Sequence, residues 1–152
     1  MYTFVSVLFF LRGKRKGRTV LLIGPTESGK TSIFSQLWQG KAVDTVTSVE
    51  LNEGEYVPNS RPALLLKDIP GNDRVRQKFW DENKGGVRGI IVVVDAAGGS
   101  KAIRDAADVL YWVLTDSVVT SVRPDVLIFA NKQDLPTAKG IRVIRTALER
   151  EM

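Results

Sequence analysis

The chain has 152 residues, 22 Lys+Arg against 17 Asp+Glu, and neither Cys nor His; that length suits one domain able to bury about two-thirds of its unfolded surface. Without Cys or His there is no disulfide framework, thiolate metal site, usual zinc ligand or imidazole proton shuttle, so any chemistry falls to carboxylates, amides, hydroxyls, Lys, Arg or a hard cation. The net charge of +5 is local, because residues 1–18 hold five basic residues and no acid while residues 19–152 hold 17 of each sign, so direct nucleic-acid binding by a basic surface is not expected.

In chain order, the first feature is Tyr2–Leu11 (YTFVSVLFFL), apolar except for Thr3 and Ser6. As a helix it would span about 15 Å, half the roughly 30 Å of a hydrocarbon core. Arg12, Lys14, Arg15, Lys16 and Arg18 follow it. Apolar then basic predicts the inner end of a membrane anchor over residues 1–11, a juxtamembrane cluster over 12–18 and a cytosolic domain over 19–152. A mobile arm or an extra edge strand is the alternative.

Thr19–Ile23 (TVLLI) predicts a buried strand, followed by a Gly-containing turn and a helix over Thr31–Trp38. Two weaker strands are expected around Val49–Val57 and Ala63–Lys67, separated by Pro58, Asn59, Ser60 and Pro62. Gly89–Asp95 (GIIVVVD) and Asp125–Ala130 (DVLIFA) read as central parallel strands covered on both faces. Between them Ile103, Ala107, Leu110, Leu114 and Val118 repeat at helical spacing, with Ser100 as N-cap. A last helix is expected over Thr137–Arg150. Strands alternating with helices predict a parallel α/β sheet.

Three motifs sit at strand ends. Gly24-Pro25-Thr26-Glu27-Ser28-Gly29-Lys30-Thr31 fits G-x-x-x-x-G-K-[ST] between a strand and a helix. In that context the glycines let consecutive N–H groups turn inward around phosphate, Lys30 reaches the outer phosphates and the Thr31 hydroxyl ligates Mg²⁺. Asn131-Lys132-Gln133-Asp134 follows the strand Asp125–Ala130. The Asp134 carboxylate accepts only, which matches the paired N–H donors of guanine and opposes an acceptor on adenine. Asn131 can bond base and loop, and the Lys132 stem can lie against the purine. Asp68-Ile69-Pro70-Gly71 ends the third motif-bearing strand: Asp68 would hold Mg²⁺ through water and the Gly71 N–H would meet a γ-phosphate.

With GPTESGKT, the Asp44–Ser48 segment (DTVTS), DIPGND and NKQDL in this order, the sequence over roughly Arg15–Glu151 resembles the small GTPases, specifically the family of signal recognition particle receptor β subunits. ADP-ribosylation-factor-like and Sar-type trafficking GTPases are the nearest alternatives; their myristoylation signal needs Gly after Met1, where Tyr2 stands. The resemblance implies a Ras-like G domain of the P-loop NTPase class, with helices on both faces of a mostly parallel sheet. It implies GTP/GDP and Mg²⁺ as cofactors, and nucleotide contacts running from Gly24 to Ser32. Thr47 would be the Mg²⁺-ligating switch threonine, with Thr45 and Ser48 close by. It further implies a GTP-dependent hold on the receptor α subunit at the cytosolic face of the endoplasmic reticulum membrane, near translocon and ribosome.

A second switch would run from Gly71 through Asn72–Trp80, with Arg74, Arg76, Phe79 and Trp80 offered to a partner; Phe79 and Trp80 could equally pack on the core. Trp38 and Trp112 read as core, Glu27 and Asp73 as solvated charges. Asn72 stands where the family often has His and hydrolysing GTPases have Gln. It is too short to position water well and cannot act as a base, so slow hydrolysis is expected. The sixth strand, guanine-contacting loop and closing helix of a complete small GTPase are not found after NKQD. The expectation is therefore a C-terminally incomplete domain with five strands and Asp125–Ala130 exposed as an edge.

Overall fold

A computed structural model describes residues 6–11, 17–40, 50–58 and 62–152, with Ser6–Leu11 described at the level of its backbone. The elements in order are β1 (Ser6–Leu11), β2 (Thr19–Ile23), α1 (Lys30–Gln39), β3 (Asn52–Tyr56), β4 (Leu64–Asp68) and α2 (Asp73–Asn83). They continue with β5 (Val87–Asp95), α3 (Gly99–Thr115), α4 (Ser117–Val122), β6 (Asp125–Asn131) and α5 (Ile141–Glu151). The strands form one sheet in the order β1-β6-β5-β2-β4-β3. The four inner strands are parallel to one another, and β3 and β1 run antiparallel along the two edges.

Alternation along the central strands builds a core on each face. Leu21 and Ile23 of β2, with Ile90, Val92 and Val94 of β5, point to a large cluster completed by Trp80, Ile103, Leu110, Val113, Ile144 and Leu148. Leu22 and Val93 point the other way, to a smaller cluster with Ile33 and Phe34 of α1. Strands covered on both faces must be apolar throughout, which is why β2 and β5 read as continuous hydrophobic runs. Helix α1 stops at Gly40, whose φ of 68° suits glycine and whose N–H reaches the Gln36 carbonyl.

The α/β G-domain class stands, and no strand follows β6 among the described residues. The exposed edge does not stand. β1 pairs antiparallel with β6, Ser6 opposite Ala130 and Leu11 opposite Val126, with an irregularity between Val7 and Phe9. An apolar segment rich in Val and Phe suits a strand as well as a bilayer, and pairing satisfies the amides that β6 would otherwise present. Among the described residues no helix is long and apolar enough to cross a membrane.

Three boundaries also differ. Helix α3 starts at Gly99 after an N-cap at Gly98, ahead of the expected Ser100. The long helix breaks at Asp116, whose extended backbone and carboxylate cap a separate α4 by accepting from Val118 N and Val119 N. The last helix begins at Ile141, since residues 132–138 turn back on themselves through bonds such as Leu135 N to the Lys132 carbonyl. Trp38, expected in the core, is 47% exposed and lies across Gly54 of β3 beside Phe34. Trp80 is fully buried, and Phe79 and Trp112 pack partly against the same core.

Candidate nucleotide site

Parallel strands end on one side of the sheet, and in such folds the crevice beyond their carboxyl ends is where ligands bind. Here β2 ends in Ile23 before the Gly24–Thr31 loop, β4 ends in Asp68, β5 in Asp95 and β6 in Asn131. All three motifs therefore meet at one edge.

The loop is drawn tight by its own side chains. Ser28 Oγ and Lys30 Nζ both donate to the Pro25 carbonyl, at 2.9 and 2.7 Å. Glu27 is exposed and adopts φ 64°, and Gly29 adopts φ 91°. A Cβ on Gly29 would sit 2.1 Å from the Asn131 amide nitrogen, so glycine is required there by both conformation and space. Burial pushes the Lys30 ammonium down to about 8; the nearby Asp68 opposes this and Arg76 adds to it. A buried cation held against desolvation is suited to a bound anion.

Across the loop, Thr31 Oγ1 donates to Asp68 Oδ2 at 2.7 Å and Asn52 Nδ2 donates to the same oxygen at 3.2 Å. Asp68 is fully buried, and among the described residues its Oδ1 has no hydrogen-bond partner. Burial raises its carboxyl above the ordinary value, against the bonds from Thr31 and Asn52 and the charge of Lys30. An orphaned buried carboxylate oxygen next to a threonine hydroxyl fits a hard cation or its water shell. Among the described residues no group of three or more carboxylates could chelate a metal. A cation at this place would therefore draw further ligands from water and phosphate.

NKQD is tied back to the phosphate loop. Asn131 Nδ2 donates to the Ser28 carbonyl at 2.9 Å. Lys132, at φ 62°, donates to the Glu27 carbonyl at 2.9 Å and pairs with Asp95 at 2.6 Å. Asp134 is exposed. Gly71 packs directly on the loop: a Cβ there would lie 2.7 Å from Thr26 N and 2.8 Å from Lys30 Nζ. Asn72 Oδ1 accepts from Arg74 N at 2.9 Å as the N-cap of α2. Between Gly71, the loop and α3 lies a cavity of about 550 Å³. Thr47 lies outside the described residues. Sequence reasoning missed Asn52 and Asp95; Asp95 could have been found, since it ends a parallel strand between two motif-bearing ones.

The family model for the signal recognition particle receptor beta subunit matches residues 15–152. The mouse receptor subunit beta is 37% identical over an alignment of 154 positions, covering 100% of this chain and 57% of that protein. The human subunit is 39% identical over 145 positions, covering 93% and 54%. The chain thus spans about half the length of the curated relatives it matches. Among solved structures, that of the mammalian receptor superposes with a TM-score of 0.82 at 37% identity, covering 88% of this chain and 72% of that one. A receptor complex from Chaetomium thermophilum, described as SRb-GTP/SRX, gives 0.72 at 25%, covering 88% and 77%. An Arl6 GTPase of Trypanosoma brucei, at 22% identity and TM-score 0.69 over 87% and 77%, shares the fold alone. With both motif geometry and near-complete coverage by the family model, this chain belongs to the signal recognition particle receptor beta subunit family.

Proposed function

We propose that this chain is a guanine-nucleotide-binding receptor β subunit that binds GTP with Mg²⁺ and, so loaded, docks the receptor α subunit. The observation that carries the reading is the pairing of Thr31 with the buried, half-satisfied Asp68 beside Lys30. In it, Gly24–Ser32 cradle the phosphates, and Asn131, Lys132 and Asp134 select guanine. The Thr31 hydroxyl and, through water, Asp68 hold the cation, with Thr47 as a further ligand. The cation when bound neutralises charge on the outer phosphates. The chain's residues hold the loop, admit the anion and present the second switch.

Asn72 is a poor water-positioning group in this reading, because its side-chain oxygen is engaged in capping α2. Slow hydrolysis and a persistent GTP state follow, which suits a docking surface. Support for the α subunit as partner, and for work beside translocon and ribosome, comes from family membership. The same source supports a place at the cytosolic face of the endoplasmic reticulum membrane, with the basic cluster of residues 12–18 nearest the lipid. An anchor over residues 1–11 requires β1 to leave β6, since one segment cannot occupy the sheet edge and the bilayer together.

The test is equilibrium binding of fluorescent GDP, GTP analogue and ATP, with and without Mg²⁺, to the wild type and Asp134→Ala. Guanine-selective binding that Asp134→Ala weakens about tenfold or more supports the reading. Equal affinity for ATP and GTP would overturn it.

A further inference from the structure

Arg76 is the residue of the second switch whose contacts no motif explains. It sits one turn into α2 with its side chain 15% exposed, and its guanidinium is used on three sides. One nitrogen donates to the Gly71 carbonyl at 3.3 Å, and another pairs with Asp73 at 2.8 Å. Its Cζ lies over the Trp112 ring of α3, 5.2 Å from the ring centre, within the range of a cation–π contact. Trp112 in turn leans on the buried Trp80, 5.1 Å between ring centres, and Trp80 donates to Asp116. A fixed path of contacts therefore runs from the phosphate loop, through Gly71 and Arg76, into the core between α2 and α3.

Gly71 is where that path meets the site. Its backbone packs on Thr26 and Lys30, and it has no side chain to fix its torsions. Something else must hold its peptide groups if its N–H is to meet an anion reliably. A lysine could supply the charge but not the rigid fork that bonds Gly71 and Asp73 from two separate nitrogens while its carbon lies over Trp112.

Resting on the GTP reading above, we propose that Arg76 is a positioning residue for the terminal phosphate: it holds the Gly71 carbonyl so that the Gly71 N–H faces the third phosphate of a nucleoside triphosphate. Arg76 thereby makes affinity for triphosphate, and not for diphosphate, depend on the α2–α3 packing around Trp112.

The experiment compares wild type, Arg76→Gln, Arg76→Lys, Trp112→Leu and Lys78→Gln, the last removing one exposed charge from the same helix. Each full chain is checked for folding by circular dichroism. Affinities for fluorescent GDP and a non-hydrolysable GTP analogue are then measured with Mg²⁺. Expected is a fall of about tenfold in the triphosphate-to-diphosphate affinity ratio for both Arg76 variants, several-fold for Trp112→Leu, and none for Lys78→Gln. A ratio unchanged in the Arg76 variants, or equal weakening of both nucleotides, overturns the proposal and leaves Arg76 a structural contact. A wild-type ratio kept by Arg76→Lys overturns the part assigned to the guanidinium fork. Absence of any guanine-nucleotide binding by wild type instead removes the GTP reading, and this proposal with it.

Discussion

Asp116 offers a quantitative check on how α2 is held. Its Oδ2 accepts from Trp80 Nε1 and Lys84 Nζ, both at 2.9 Å, and its Oδ1 accepts from the backbone of Val118 and Val119 at 2.8 and 3.3 Å. Every partner is a donor, so Asp116→Asn must turn an NH₂ toward two of them whichever way the amide is placed. Burial alone would raise this carboxyl, but the bonds from Trp80, Lys84, Val118 and Val119 outweigh it and hold it at about 2, against an ordinary 3.8. That difference corresponds to about 2 kcal/mol of folding stability from the ionised form. Because the folded value lies below the unfolded one, the stabilisation is complete above the unfolded value and is lost as pH falls toward the folded value. By pH 3 about half of it is gone. Urea unfolding of wild type and Asp116→Asn, followed by tryptophan fluorescence, should differ by about 2 kcal/mol at pH 7 and at pH 5, and by about 1 kcal/mol less at pH 3. A difference under about 0.5 kcal/mol at pH 7, or one that stays constant on acidification, would refute the reasoning.

Gly71→Ala should push a methyl against Thr26 and Lys30, since its Cβ would lie 2.7 Å from Thr26 N. A cost of about 1–3 kcal/mol in nucleotide affinity is expected by titration, with little loss of thermal stability, because the strain falls on the loop–switch contact. Asn72→Ala removes a cap and should lower unfolding free energy by about 1 kcal/mol while changing single-turnover hydrolysis less than about threefold; a tenfold drop in rate would make Asn72 catalytic. Deleting residues 1–11 uncovers β6. Hydrogen bonds worth about 1 kcal/mol each are nearly offset by about 1–2 kcal/mol per residue of ordering entropy. The unfolding midpoint should therefore move little while light scattering shows concentration-dependent association through the bared edge; a strictly monomeric deletion variant would argue against β1 as an edge cover.

The parts of this molecule that declare themselves along the chain are those whose physics is local. Val20–Ile23 of β2 and Ile90–Val94 of β5 are apolar at every position because both faces of the sheet are covered there, and the Gly24–Thr31 loop is defined by glycines, a lysine and a threonine at fixed spacing. What hid was non-local. Asp116 looks like one more polar residue in a helical stretch until Trp80 and Lys84, more than thirty residues away, are seen to converge on it. Trp38 falls on a helical apolar stripe, yet the face it covers is Gly54 at the sheet edge, so half of it remains exposed. Tyr2–Leu11 has the length and polarity of about half a membrane span, and it is the side of β6 beside Ser6–Leu11 that gives the segment another use. Pairing partners are a property of the sheet, not of the segment.

The two ends of α2 are held differently, and this bears on how the site communicates. At the far end, Trp80 and Lys84 bind Asp116, and Asn83 bonds both Lys67 of β4 and the Phe79 carbonyl. The near end has the Asn72 cap and the Arg76 bond to Gly71, both within the first turn or two. A displacement begun at Gly71 by a phosphate cannot tilt the whole helix without breaking Asp116 free of a buried tryptophan. It must be absorbed between Gly71 and Gln77, whose side chains are largely exposed, with Arg76 the main exception. In the GTP reading, the surface that a bound nucleotide would alter is then confined to Asn72–Arg76 and the facing side of α3, beside the 550 Å³ cavity. Asp116→Asn should relax that confinement: on exchange of GDP for a GTP analogue, amide hydrogen exchange should change along the whole of α2 in the variant and only over residues 71–77 in the wild type. Identical exchange patterns in the two proteins would show that the Asp116 anchor does not limit the switch.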